Sequence, residues 1–265
     1  MQVDRIAAFS DNYIWALRND RASCCTLVDP GESEPVERYL AQNNLSLASI
    51  LITHHHYDHT GGVEKLKQQH QCKVYGPDNA KIKGIDQTLK QGDSITLNEI
   101  DASFDIIEVP GHTLDHIAYI FKDRIGENRI DKKSVFCGDT LFAGGCGRLF
   151  EGTPEQMWHS LQKLASLPAN TTVYCAHEYT EANLAFAREV DKHNADLKRR
   201  QELVKQKRAD NQATVPSTIE EELATNPFLR ANRKEVASAA ETFSGQPLST
   251  PEDVFAVIRQ WKDNF

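Results

Sequence analysis

The sequence predicts an α/β protein in which two sheets pack face to face with helices outside, followed by a small α-helical domain from about residue 179 to the end. Three observations carry that expectation. Short β-like runs alternate with amphipathic helices early in the chain, strand runs then succeed one another with little helix between them, and a charged, helix-rich stretch without strand signal closes the sequence. With 265 residues the chain exceeds one average domain, and the expected division is 1–178 and 179–265.

Residues 24–28 read as a strand stopped by the Pro30-Gly31 turn, and Pro35 opens a helix carrying Val36, Tyr39 and Leu40 on one face. The next strand covers 50–52. After Gly62, Val63, Leu66 and His70 fall at helical spacing, and 73–75 returns to strand. Strands at 94–97, 104–109, 116–121 and 134–137 then succeed one another as in antiparallel sheet. Met157, Leu161, Leu164 and Leu167 form one helical stripe before a strand at 172–175. Beyond 179 the stretch 181–209 is helical and strongly charged, Pro216 and Pro227 punctuate the residues after it, and Pro251 opens a closing amphipathic helix reaching Trp261.

Apolar residues at 40% and charged residues at 26% describe an ordered globular chain rather than a disordered one. A net charge of −8 disfavours a surface that neutralises phosphates along nucleic acid. The N-terminus lacks a basic start leading into an apolar run, and no stretch is apolar for long enough to span a bilayer. A cytoplasmic monomer with no nucleic-acid or membrane partner is expected. The six cysteines, at 24, 25, 72, 137, 146 and 175, show no CxxC pairing and read as reduced thiols. Cys137 and Cys175 each precede a candidate ligand, but buried strand cysteine is the commoner case.

The run that carries chemistry is Thr53-His54-His55-His56-Tyr57-Asp58-His59, between the strand ending at Ile52 and the helix after Gly62. Imidazole and carboxylate suit zinc, iron and manganese, and a tight loop can aim alternate side chains at different ions. Gly61-Gly62 lets the backbone turn sharply into the helix. A metal needs more ligands than this loop supplies, and three later strands end in one: His112, Asp139 and His177. Loops beyond one edge of a sheet scaffold converge there. A carboxylate can bridge two ions, so one site reads as His54, His56, His112 and Asp139, and the other as Asp58, His59, Asp139 and His177. Any of these alone would read as a polar loop residue or a core histidine; type, spacing and strand-end placement agree only for the set. His70, His159 and His193 lie in polar helical contexts and read as solvated, His55 should point away from the ligands, and His116 reads as a strand residue or a support for a ligand.

At these residues the chain resembles the metallo-β-lactamase superfamily and, within it, the hydroxyacylglutathione hydrolases (glyoxalase II). The matching segments are Asp11-Asn12-Tyr13-Ile14-Trp15, Val28-Asp29-Pro30-Gly31, the 53–59 loop, Pro110-Gly111-His112-Thr113, Cys137-Gly138-Asp139-Thr140-Leu141-Phe142, Gly145-Cys146-Gly147-Arg148 and His177-Glu178-Tyr179-Thr180. The resemblance implies an αββα sandwich of metallo-β-lactamase type with a small C-terminal α-helical domain that helps bind glutathione. It implies two divalent ions per chain on the ligands named above, zinc ahead of iron or manganese. The reaction implied is hydrolysis of S-(2-hydroxyacyl)glutathione thioesters, chiefly S-D-lactoylglutathione, by metal-bound hydroxide, with Asp58 and Asp139 orienting the water, as in methylglyoxal detoxification. Substrate contacts implied are Arg148, Phe150, Tyr179, Arg259 and Lys262, the cations suiting the two carboxylates of glutathione. The alternative is an iron-dependent glutathione persulfide dioxygenase, which shares much of the loop but uses a single iron. Three positions depart from the family pattern: Phe150 stands where many members have tyrosine, Arg148 where others have lysine, and Asp115 where glycine is frequent.

Overall fold

The structure, a computed structural model, describes residues 1–19, 23–122 and 133–265. The chain forms two compact units, 1–108 with 115–138 and 109–114 with 139–265.

In the first unit, β1 (Gln2–Ala8) and β2 (Asn12–Arg18) form an antiparallel hairpin that continues antiparallel into β3 (Cys24–Val28). Beyond β3 come α1 (Ser33–Asn43), β4 (Ser46–Leu51), α2 (Tyr57–Thr60), α3 (Val63–His70), β5 (Lys73–Pro77) and β6 (Gln87–Leu89). These strands make one sheet in sequence order, parallel from β3 onward. Parallel neighbours need crossover connections, which is why helices separate β3, β4 and β5 where none separates β1 from β2. The helices bury Val36, Leu40, Val63 and Leu66 in one cluster with Leu27, Ile50, Ile52 and Val74 of the sheet. The opening hairpin was not among the expected strands. β1 is an edge strand in which only Ile6 and Ala8 are buried, so its apolar signal is weak, whereas β2 is buried from Asn12 to Leu17.

The second sheet of this unit consists of β7 (Ser94–Leu97), β8 (Ala102–Glu108), β9 (Ile117–Lys122) and β10 (Ser134–Gly138), each antiparallel to its sequence neighbour. Alternating apolar residues put Phe104, Tyr119, Phe121 and Phe136 into one ring cluster. The two sheets meet where the Tyr119 hydroxyl donates to the Ile52 carbonyl at 2.8 Å and Ile117 N–H donates to the Thr53 carbonyl at 2.9 Å. The first residues of β9 thus tie down the segment that leaves β4.

The second unit begins with the short hairpin β11 (Leu141–Phe142) and β12 (Gly145–Cys146), then α4 (Pro154–Ala165) and β13 (Thr172–Cys175). Next come α5 (Thr180–Val190), α6 (Ala195–Ala209), β14 (Ser217–Thr218), α7 (Ile219–Thr225), α8 (Lys234–Ser244) and α9 (Pro251–Asp263). Capping boxes start α4 at Thr153 with Gln156 and α9 at Thr250 with Asp253, each with a proline next in the chain whose missing N–H costs nothing there. The expectation of no strand beyond 179 is corrected by β14, which pairs with β13; two residues are too few to leave a periodic signal.

Hydrogen bonds explain why residues 139–178 group with the helices, so that the compact units do not divide at 178. Glu222 of α7 accepts from Gly144 N–H at 2.8 Å and from Arg200 of α6 at 2.5 Å, and Asn226 donates to the Gly145 carbonyl at 2.9 Å. Arg259 of α9 donates to the Cys146 carbonyl at 3.0 Å, and Thr214 donates to Glu178 through both its N–H and its hydroxyl. Glu222 and Asn226 are fully buried, so losing either would strand partners that water cannot reach. Among the described residues no helix is long and apolar enough to cross a membrane.

Candidate metal centre

In the first unit the polypeptide leaves β4 at Leu51, passes through the histidine loop and enters α2 at Tyr57. Asp29, just past β3, holds that loop. Its Oδ1 accepts Thr53 N–H at 2.8 Å, and its Oδ2 accepts the Thr53 hydroxyl at 2.7 Å and lies 3.0 Å from Nδ1 of His59. A second contact sets His54, whose Nδ1 lies 3.0 Å from the Thr53 hydroxyl. With Nδ1 engaged in both rings, Nε2 is the atom each can offer to a ligand, and in both it is buried. The rings of His54 and His59 lie 4.1 Å apart, and those of His54 and His56 lie 4.8 Å apart. Asp58 Oδ2 is 3.4 Å from His59 Nε2 and accepts from Asn12 at 2.9 Å. Glycine is required at Gly31, where a Cβ would run into the Asp58 carbonyl, and at Gly138, where φ is +46° and a Cβ would meet Thr53 Oγ1 and His116.

In the second unit three separate segments bring His112, Asp139 and His177 together. Nε2 of His112 lies 3.4 Å from one carboxylate oxygen of Asp139, and Nε2 of His177 lies 3.3 Å from the other. His112 Nδ1 lies 2.8 Å from the Arg148 carbonyl, fixing it as the donor and Nε2 as the ligand-capable nitrogen. All three residues are buried. The His177 ring stacks on Tyr179 at 4.7 Å, and the His112 ring meets Phe150 edge-on at 5.2 Å.

Both clusters fit divalent cations. Each gathers imidazole nitrogens and carboxylate oxygens, with His56 and Asp58 half-buried and the other ligands buried, and the second nitrogen of His54, His59 and His112 is committed to an orienting partner, as metal-binding histidines require. A carboxylate whose two oxygens face different imidazoles has the disposition of a bridging ligand. Among the described residues no ligand cluster includes a cysteine. None is in a disulfide, and burial pushes the Cys175 thiol up to about 12.

The remaining sequence candidates divide by exposure. Phe150 is 63% exposed and Tyr179 is 38% exposed, so both rings are open on one side. Arg148 is largely exposed, with its guanidinium 3.9 Å from Asp263. Arg259 is buried: it donates to the Cys146 carbonyl and to Asp263 at 3.0 Å each, and its guanidinium lies 5.1 Å above the Phe228 ring. It therefore braces β12 more than it presents charge. Lys262, three residues on, is half-buried over the Phe186 ring, and desolvation, with the neighbouring Arg259 second, lowers its pKa to about 8.

His55 turns away to Asp115, and His116, fully buried, stacks on His54 at 4.6 Å. His70 is not simply solvated, since its Nε2 lies 2.9 Å from Glu37. Sequence reasoning assigned no role to Asn12, Asp29 or Asp115. The strand-end rule that selected His112 and Asp139 would also have selected Asp29, which comes directly after β3.

The superfamily model described as "Metallo-beta-lactamase superfamily" matches residues 11–177, and the model described as "Hydroxyacylglutathione hydrolase C-terminus" matches 178–265. A relative from Idiomarina loihiensis named hydroxyacylglutathione hydrolase is 49% identical over 264 residues, with all of both chains covered. Another of the same name, from Pseudomonas aeruginosa, is 50% identical over 266 residues with the same full coverage. Among solved structures, ETHE1 from Myxococcus xanthus has a TM-score of 0.64 at 24% identity, covering 99% of this chain and 98% of that one, a likeness of fold. The fold is that of the metallo-β-lactamases with a C-terminal helical region. The chain belongs to the hydroxyacylglutathione hydrolase family of the metallo-β-lactamase superfamily.

Proposed function

We propose that this chain hydrolyses S-(2-hydroxyacyl)glutathione thioesters, chiefly S-D-lactoylglutathione to D-lactate and glutathione, at a site holding two divalent ions, zinc first among them. The observation that carries this reading is Asp139, whose two carboxylate oxygens each face a different histidine Nε2, at 3.4 and 3.3 Å. His54, His56, His112 and Asp139 would hold one ion, and Asp58, His59, Asp139 and His177 the other. Bound there, the pair supplies Lewis acidity and a water whose pKa falls from 15.7 toward ~7.

The residues of the chain do the rest. Asp58, held by Asn12, and Asp139 accept hydrogen bonds from the attacking water and aim it at the thioester carbonyl. Asp29 keeps the His59 ring in register throughout. A departing thiolate needs little protonation, so no dedicated general acid is required. Tyr179 and Phe150 offer open ring faces to the substrate, Phe150 through apolar contact alone. Arg148 and Lys262 suit the glutathione carboxylates, with Arg259 supporting from beneath. In functional terms 1–178 is the catalytic domain and 179–265 the substrate-binding domain of a cytoplasmic monomer.

The test is turnover of S-D-lactoylglutathione by protein of measured metal content. Hydrolysis that scales with two zinc ions per chain supports the reading. Metal-loaded protein that leaves every glutathione thioester intact removes it.

A further inference from the structure

Asp115, the position where the sequence departs from glycine, has a defined task in the first unit. Its Oδ1 lies 3.0 Å from Nδ1 of His55, and its Oδ2 accepts from Asn79 at 2.8 Å. The other nitrogen of His55, Nε2, lies 3.1 Å from the Lys81 ammonium. An ammonium has only donors, so Nε2 is the acceptor and Nδ1 carries the proton toward Asp115. The side chains of His55 and Asp115 are each only 8% exposed, which screens the contact from water. Asn79 is itself set by a bond from Lys81 N–H at 2.9 Å, so both outer partners come from one short turn after β5.

The placement of this contact matters because of its neighbours. His116 stacks on His54 at 4.6 Å, and Ile117 N–H bonds the Thr53 carbonyl at 2.9 Å. Three consecutive residues, 115, 116 and 117, therefore grip His55, His54 and Thr53 in reverse order. His55 sits between two candidate ligands and is chemically their equal. What separates it from them is that both of its nitrogens are engaged by Asp115 and Lys81.

We propose that Asp115 is a positioning residue for the metal loop: by holding His55 it keeps that imidazole out of the ligand set and fixes the direction in which His54 and His56 leave the backbone. The inference rests on the metal reading above but not on the substrate. It gives an account of an aspartate at a position where glycine is frequent in the family.

The experiment uses the full chain, stripped of metal and reloaded with zinc or cobalt, as D115A, D115N, H55A and the D115A/H55A double variant. Zinc affinity is read by competition with a chelating dye, ligand geometry by the visible bands of the cobalt form, and folding by the melting of the metal-free protein. D115A should bind zinc about tenfold more weakly and shift the cobalt bands. D115N, which keeps an acceptor for His55 but cannot also serve Asn79, should fall between D115A and the parent, and it keeps the test open should D115A fold poorly. In the H55A background D115A should have no further effect. Parental zinc affinity and cobalt bands in D115A, or losses that simply add in the double variant, overturn the proposal. A parent protein that loads zinc but cleaves no thioester sinks the substrate assignment while leaving these comparisons valid.

Discussion

The two metal-type clusters are built in opposite ways. In the first unit four candidate ligands come from six consecutive residues, and their orientation is imposed from outside by Asp29, Asn12, Asp115 and His116. In the second unit three ligands come from three distant segments, with Asp139 between two imidazoles and His112 held through its Nδ1 by the Arg148 carbonyl. The loop thus concentrates its ligands in one segment, whereas the dispersed cluster centres on a single carboxylate. Damage should spread differently in the two.

The largest effect is expected at Asp139. Asp139→Ala should reduce kcat/KM by on the order of 10²–10³ and lower the content of both metals together, by elemental analysis, because each oxygen serves a different ion. Retention of one fully occupied ion would mean that the carboxylate does not bridge.

Asp29→Ala tests the outside support. It leaves every proposed ligand in place but removes the acceptor for Thr53 N–H, the Thr53 hydroxyl and His59 Nδ1. Metal affinity should weaken by about ten- to a hundredfold, chiefly for the ion on Asp58 and His59. Stability should fall by about 1–3 kcal/mol, because a buried N–H loses its partner. Chelator titration and denaturant melts measure the two effects, and unchanged affinity would show that the loop orients itself.

A smaller effect concerns Lys262 in the second unit, whose ammonium is lowered to about 8 by desolvation and by Arg259, with Cys146, Arg148 and Asp263 also near. Its charge is present below that pH and lost above it. KM for the thioester should therefore rise severalfold as pH passes 8 while kcat holds, and Lys262→Gln should flatten that rise. A KM independent of pH between 7 and 9 would remove Lys262 from substrate binding.

The smallest is Phe150→Tyr. The ring is exposed and lies edge-on to His112, so a hydroxyl can be added without repacking. One new hydrogen bond to glutathione is worth about 1 kcal/mol, a fall in KM of at most about fivefold. No change would mean that the ring edge does not face the substrate.

The same contrast between the clusters governs what was legible in the sequence. The loop announces itself because ligand-type residues crowd at spacings that chance rarely produces. His112, Asp139 and His177 were legible only as strand ends, which needed the strands to be located first. Helical spacing places Arg259 and Lys262 on one face but does not report how deep that face lies, and only the structure shows Arg259 buried and Lys262 half-buried. The expected strands did not include β1, a partly exposed edge strand, β2, which is buried from Asn12 to Leu17, or β14, which is too short for periodicity.

By itself the sequence determined the layered α/β plan, the helical close and the ligand types, because these depend on local periodicity and on the chemistry of side chains. Only the tertiary structure decided which nitrogen of His54, His59 and His112 is available, that Asp139 faces two imidazoles, and that His55 belongs to Asp115. Apart from the Thr53 contact that sets His54, those outcomes turn on contacts between residues far apart in the chain, and the donor or acceptor character of each partner fixes which ring nitrogen carries the proton.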